Sequence, residues 1–146
     1  MHTTFPRLAL AAMVLSTLLF TGVPAFAKVN SYTADLKASS EIPPNDSKGA
    51  GAAEASYDTN SKVFSWTITY SGLTGPATAA HFHGPAAANA NAPPVVPLSG
   101  DLTSPINGKA TLTDAQAADL QAGRWYFNLH TAAHPSGEIR GQVMKK

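Results

Sequence analysis

The chain has 146 residues, of which ten are basic and nine acidic, a formal net charge of +1, and no cysteine. A charge balance this close to neutral, without a basic stripe, argues against nucleic acid or an anionic membrane surface as a partner. The lack of cysteine excludes disulfides, a thiol nucleophile and thiolate metal ligands. Stability must therefore come from packing, or from a metal held by other ligands.

The N-terminal segment is typical of an export signal. Arg7 precedes an apolar run from Leu8 to about Val23, and Ala25-Phe26-Ala27 has the small-x-small pattern that signal peptidase recognises. The run is shorter than the ~20 residues that a membrane-spanning helix needs. We therefore predict a cleaved signal peptide over 1–27, a single mature domain over 28–146, and a periplasmic or secreted location.

The mature chain is dominated by two-residue alternation. Phe64, Trp66 and Ile68 alternate with polar residues, so one face of that segment is large and apolar. The segment 125–131 alternates in the same way, with its aromatic residues on one face. The predicted strands cover 31–39, 49–57, 64–70, 78–84, 125–131 and 138–144, with shorter segments at 95–98 and 109–112.

One short helix is expected between the segment at 109–112 and the strand at 125–131. Thr113 followed three residues later by Gln116 has the spacing of a capping box, and Gly123 fits the C-terminal stop. This pattern predicts an all-β antiparallel sandwich or barrel, with seven or so short strands, turn residues between them, and one helix.

Histidines form the one chemically suggestive cluster of the mature chain. All four lie in two short segments, as His81 and His83 and as His130 and His134. Residues i and i+2 of a strand point to the same face, ~6.5–7 Å apart, and His130 lies on the non-aromatic face of its strand. Imidazoles without thiolate suit copper, zinc, nickel or iron, and the affinity order favours copper. We predict a mononuclear site for copper, or else zinc, with these four histidines as ligands.

Charged residues near these segments are candidates for supporting roles. Glu41 or Glu138 would orient an imidazole, and Arg140 is a further charged neighbour. The competing interpretation is a metal-free adhesion or interaction module, in which the histidines only order the loops 84–94 and 131–137. The two interpretations differ in one geometric point. The metal site fails if His130 and the His81/His83 pair point to opposite sides of the fold.

Four segments of the chain also resemble a known family. The segments 41–44, 71–76, 79–86 and 128–142 are similar, in order and spacing, to the CHRD domain, which is named for chordin and occurs in many exported microbial proteins. The resemblance implies a β-sandwich or barrel and an extracellular module. Chordin binds growth factors, but this chain has one copy and none of chordin's cysteine-rich modules, so that activity does not transfer. The family supplies no established catalytic reaction.

A looser likeness concerns copper-zinc superoxide dismutase, whose sandwich also carries an H-x-H pair, later histidine ligands and an arginine that guides the anion. It implies an Ig-like or dismutase-like fold, with His81 and His83 as the pair, His130 or His134 as later ligands, and Arg140 as the arginine. The chain cannot form the dismutase disulfide, and no aspartate stands out as a zinc ligand. A dismutase-like redox enzyme is therefore a third interpretation, and overall we lean against an enzyme.

Overall fold

The computed structural model describes residues 28–146. The predicted signal peptide, 1–27, lies outside the described residues. Within 28–146, no helix combines the length and apolar character needed to cross a membrane.

The described chain folds into eight strands, one short 3₁₀ turn at Ala38–Ser40 and one α-helix, α1, at Asp114–Gln121. The strands are β1 (Val29–Lys37), β2 (Ala50–Asp58), β3 (Val63–Ser71), β4 (Ala77–His83), β5 (Pro94–Pro97), β6 (Ile106–Thr111), β7 (Trp125–Thr131) and β8 (Ile139–Lys145).

All neighbouring strands pair antiparallel in one sheet of order β5-β4-β7-β8-β1-β2-β3-β6. The sheet curls into a nearly closed barrel whose two ends are β5 and β6. The predicted all-β antiparallel architecture with one short helix is confirmed.

The apolar faces of the strands fill the barrel. Phe64, Phe82 and Phe127 are fully buried, and the rings of the last two, which are register partners on β4 and β7, lie 5.0 Å apart. Burying each such side chain stabilises the fold by about 1.5–3 kcal/mol. Because strand residues alternate, this inward face obliges His81 and His83 to face outward.

The helix begins as predicted. The Gln116 amide nitrogen donates to Thr113 Oγ1 at 3.2 Å, and the Thr113 amide nitrogen donates to Gln116 Oε1 at 2.9 Å, which completes the capping box. Gly123 follows the helix with φ +69°, a left-handed conformation that favours glycine. Leu120 is fully buried and docks the helix on the barrel core.

Strand β6 begins three residues before the predicted segment at 109–112. Neither Asn107 nor Gly108 is apolar, so the alternation does not reveal where the strand begins. Gly108 is the register partner of Trp66 on β3, and a Cβ on Gly108 would lie 2.4 Å from the indole ring. Glycine at this position lets the Trp66 ring lie over the neighbouring strand, a tertiary requirement that no local pattern reveals.

Candidate metal centre

Strands β4 and β7 bring three of the histidines together. The two strands pair antiparallel with His81 opposite Asn128, His83 opposite Tyr126, and Ala79 opposite His130. All of these residues lie on the face opposite the Phe82–Phe127 core pair. His130 and the His81/His83 pair therefore share one side of the fold, which is the condition that the metal interpretation requires.

The three imidazoles are close enough to share an ion. One ligand atom from each of His81, His83 and His130 lies within 4.8 Å of the others. His81 Nδ1 and His130 Nε2 are 3.2 Å apart. Two nitrogens bound at about 2.0–2.1 Å to a common tetrahedral ion lie roughly 3.3 Å apart. In the structure this pair forms a hydrogen bond between the two rings, and the same separation also matches that of two ligands of one metal.

Backbone carbonyls orient two of the rings. His83 Nδ1 lies 2.8 Å from the Ala92 carbonyl oxygen, and His130 Nδ1 lies 3.0 Å from the Pro135 carbonyl oxygen. A carbonyl oxygen only accepts, so each Nδ1 carries a proton and donates, and in the neutral form of either ring Nε2 then presents its lone pair. This hydrogen bond from the second ring nitrogen is the usual support of a metal-bound histidine.

Burial keeps two of the imidazoles in the form that binds metal. It lowers the pKa of His81, and the neighbouring His130 and His83 act in the same direction. It also lowers the pKa of His83, although hydrogen bonds to Ala92 and Asn128 oppose the shift. Both rings are therefore neutral at pH 7, so little proton release opposes metal binding.

The fourth predicted ligand lies apart from this group. His134 is half-buried in the turn after β7, where its backbone exchanges two hydrogen bonds with Thr131. Within 28–146, the side-chain group that could hold an ion contains His81, His83 and His130 without His134. Its assignment as a ligand stays a prediction that the geometry does not support.

Arg140 anchors a loop. Its guanidinium stacks 3.4 Å from the centroid of the Tyr126 ring and donates to Asn91 Oδ1 at 2.7 Å and to the Ala90 carbonyl at 2.5 Å. His83 also stacks on Tyr126, from the strand on the other side, with ring centroids 4.7 Å apart. Arg140 thus holds the segment 84–93 over the sheet, and these contacts lend no support to an anion-guiding role.

Glu138 serves the fold rather than an imidazole. The fully buried carboxylate accepts from Ser47 Oγ at 2.6 Å, from the Thr74 amide and hydroxyl at 2.8 Å each, and from Thr131 Oγ1 at 2.5 Å. Burial alone raises its pKa, but these donors together hold the pKa below its ordinary value. Glu138 therefore ties three segments together as an ionised carboxylate.

Glu41 acts on the cluster through Asn128. Asn128 Nδ2 donates to Glu41 Oε1 over 3.4 Å, and Asn128 Oδ1 lies 3.0 Å from His83 Nε2. Glu41 is only 5 % exposed, and burial raises its pKa to about 7 against the opposing effects of Asn128 and Arg140. Of the two predicted orienting carboxylates, Glu41 is thus the one connected to a cluster histidine, with an amide between them.

Comparison with known proteins places the chain in a family. The model of the CHRD domain matches residues 32–143. The chain belongs to the CHRD domain family. The matched range contains the three clustered histidines, Glu41 and Arg140. No curated protein and no solved structure matches this CHRD domain.

Sequence reasoning about the CHRD domain missed Asn128. Its buried amide lies between His83 and Glu41, and it is the register partner of His81. The available signal was the alternation in β7, which places Asn128 on the same face as His130. Asn128 is uncharged and is not an imidazole, so the residue pattern typical of metal ligands does not include it.

Proposed function

We propose that this CHRD domain is an exported module that binds a single copper ion, with zinc as the alternative ion. The ligand atoms are His81 Nδ1, His83 Nε2 and His130 Nε2. The observation that carries the proposal is the convergence of these three side chains, whose ligand atoms lie within 4.8 Å of one another. The hydrogen bonds of His83 and His130 to backbone carbonyls, and the lowered pKa values of His81 and His83, support it.

The chemistry of the ligands favours copper. Three imidazoles without a thiolate suit divalent copper, and copper binds such ligands more tightly than zinc does. His81 and His130 are partly exposed, so an ion reaches the site from solvent. The signal-like N-terminus and the family, whose members are typically extracellular, support a role in metal handling or redox buffering outside the cytoplasm.

Calorimetric titration of the metal-free protein with Cu(II) and Zn(II) tests the proposal. We expect one ion per chain, and we expect the His81→Ala/His83→Ala double variant to lose binding. His134→Ala is the matched control because it removes a histidine outside the cluster, and it should bind like the wild type. Unchanged binding by the double variant, or no binding by the intact protein, would contradict the proposal.

One observation favours the metal-free interaction module as a second candidate. The imidazoles of His83 and His130 donate to backbone carbonyls of the loops after β4 and β7, so they order those loops without any ion. This alternative predicts the same thermal unfolding with a chelator present as with added metal. The copper module predicts a higher unfolding temperature with metal, because a ligand that binds only the folded state stabilises it.

A further inference from the structure

The contact between His83 and Asn128 has an electrostatic difficulty. Nδ1 of His83 donates to the Ala92 carbonyl, so Nε2 of the neutral ring presents a lone pair. Asn128 Nδ2 is turned to Glu41, so Oδ1 also presents lone pairs, 3.0 Å from that nitrogen. In the neutral ring with the amide in this orientation, two acceptors therefore face each other, and only a protonated His83 or an exchanged amide places a proton between them. A cation bound by both atoms would remove this repulsion.

The turn after β7 packs against the Glu41–Asn128 pair. A Cβ on Gly137 would lie 2.4 Å from Glu41 Oε1 and 2.5 Å from Asn128 Nδ2, so the glycine packs directly against the hydrogen-bonded pair. Gly137 has φ +131°, which side-chain-bearing residues rarely adopt. The turn therefore closes over the Glu41–Asn128 pair only because this residue is glycine.

Asn128 also lies centrally among the three histidines. It is the register partner of His81, it contacts His83, and it lies two residues before His130 on the same face of β7.

We propose that Asn128 Oδ1 is the fourth ligand of the metal centre, held in position by the hydrogen bond from Asn128 Nδ2 to Glu41. This inference rests on the proposed metal site and completes it as a set of three nitrogens and one oxygen. An amide oxygen is a hard ligand, so the set favours divalent copper or zinc over monovalent copper, which prefers soft sulfur ligands. Glu41 then supports a ligand in the way that carboxylates support metal-bound histidines.

Zinc affinity, measured by competition with a chelating dye, tests the fourth ligand. We expect Asn128→Leu to weaken zinc binding about tenfold or more, on the scale of lost supporting contacts. Asn107→Leu is the matched control, because it removes an exposed amide on β6, and its affinity should not change. The double variant Asn128→Asp/Glu41→Gln keeps an oxygen ligand and restores the hydrogen bond with donor and acceptor exchanged. We expect it to bind zinc within about tenfold of the wild type.

The outcomes separate this inference from the proposed function. If the wild type binds zinc and Asn128→Leu binds it equally well or more tightly, Asn128 only competes with the metal for His83 and the inference is overturned alone. If the wild type binds neither zinc nor copper, both proposals fall; if it binds copper alone, the same variants are compared by competition for Cu(II). If Asn128→Leu does not fold, a crystal structure of the zinc-loaded wild type decides. Asn128 Oδ1 should lie at about 2.0–2.2 Å from zinc, and an oxygen turned away from the ion would overturn the inference.

Discussion

The two buried glutamates of this domain have opposite environments. Glu138 accepts four hydrogen bonds, and its pKa lies below the ordinary value. Glu41 receives one long side-chain hydrogen bond, from Asn128, and its pKa rises to about 7. A buried polar group with all its partners stabilises the fold, whereas one with too few partners costs stability. The comparison indicates that Glu138 belongs to the scaffold and Glu41 to the site.

Removal of the Glu138 carboxylate should cause the largest loss of stability. Glu138→Ala leaves the donors of Ser47, Thr74 and Thr131 without their acceptor, and we expect a loss of at least about 3 kcal/mol in the free energy of unfolding. Denaturant titration measures it. Glu54→Ala, an exposed carboxylate on β2, is the control and should change stability by less than about 0.5 kcal/mol. Equal losses of stability in Glu138→Ala and Glu54→Ala would contradict the assignment of Glu138 to the scaffold.

For Glu41 we predict a pH dependence of folding stability that is opposite in sign to that of Glu138. Because the pKa of Glu41 is raised from 4.5 to about 7, the stability that it contributes is complete below 4.5 and is lost as pH rises through 7. We therefore expect Glu41→Gln to be more stable than the wild type at pH 8, by up to about 3 kcal/mol, and to lose that advantage at pH 4.

Unfolding curves of both proteins from pH 4 to pH 8 measure the difference between them. Subtracting the two profiles cancels the contributions of His81 and His83, whose lowered pKa values destabilise the fold at acid pH. Arg140, which faces Glu41, is present in both proteins and keeps its charge over this range. A difference that does not change with pH would contradict the assignment of Glu41.

A glycine substitution tests the contact between the turn and the Glu41–Asn128 pair. Gly137→Ala introduces a methyl group against Glu41 Oε1 at a left-handed φ, and we expect it to cost about 1–3 kcal/mol of stability. Gly75→Ala is the control, because no atom lies within 4 Å of the added Cβ. Zinc affinity should fall in the first variant and stay unchanged in the second. An unchanged affinity in Gly137→Ala would show that the turn does not support the site.

The smallest expected effect lies outside both regions. Thr113→Ala removes the side chain that caps α1, and we expect a loss of about 1 kcal/mol in thermal or denaturant unfolding. Metal affinity should not change, because the helix does not contribute a ligand. A change in affinity would show that the site depends on global stability and would weaken the comparison of the two glutamates.

Local periodicity accounts for most of what the sequence could predict. The alternation in β4 and β7 located both strands and assigned His81, His83 and His130 to their outward faces. His134 follows the end of β7, where no periodicity constrains a side chain, and the geometry does not bring it into the cluster. The sequence could not distinguish Glu41 from Glu138, because their partners come from distant segments of the chain.

The count of imidazoles on bound Cu(II) tests the central claim most directly. Pulsed electron paramagnetic resonance detects the remote nitrogen of each coordinated ring. We expect three rings in the wild type, two in His130→Ala, and three in His134→Ala. A lower count in His134→Ala, or an unchanged count in His130→Ala, would contradict a copper centre built from His81, His83 and His130.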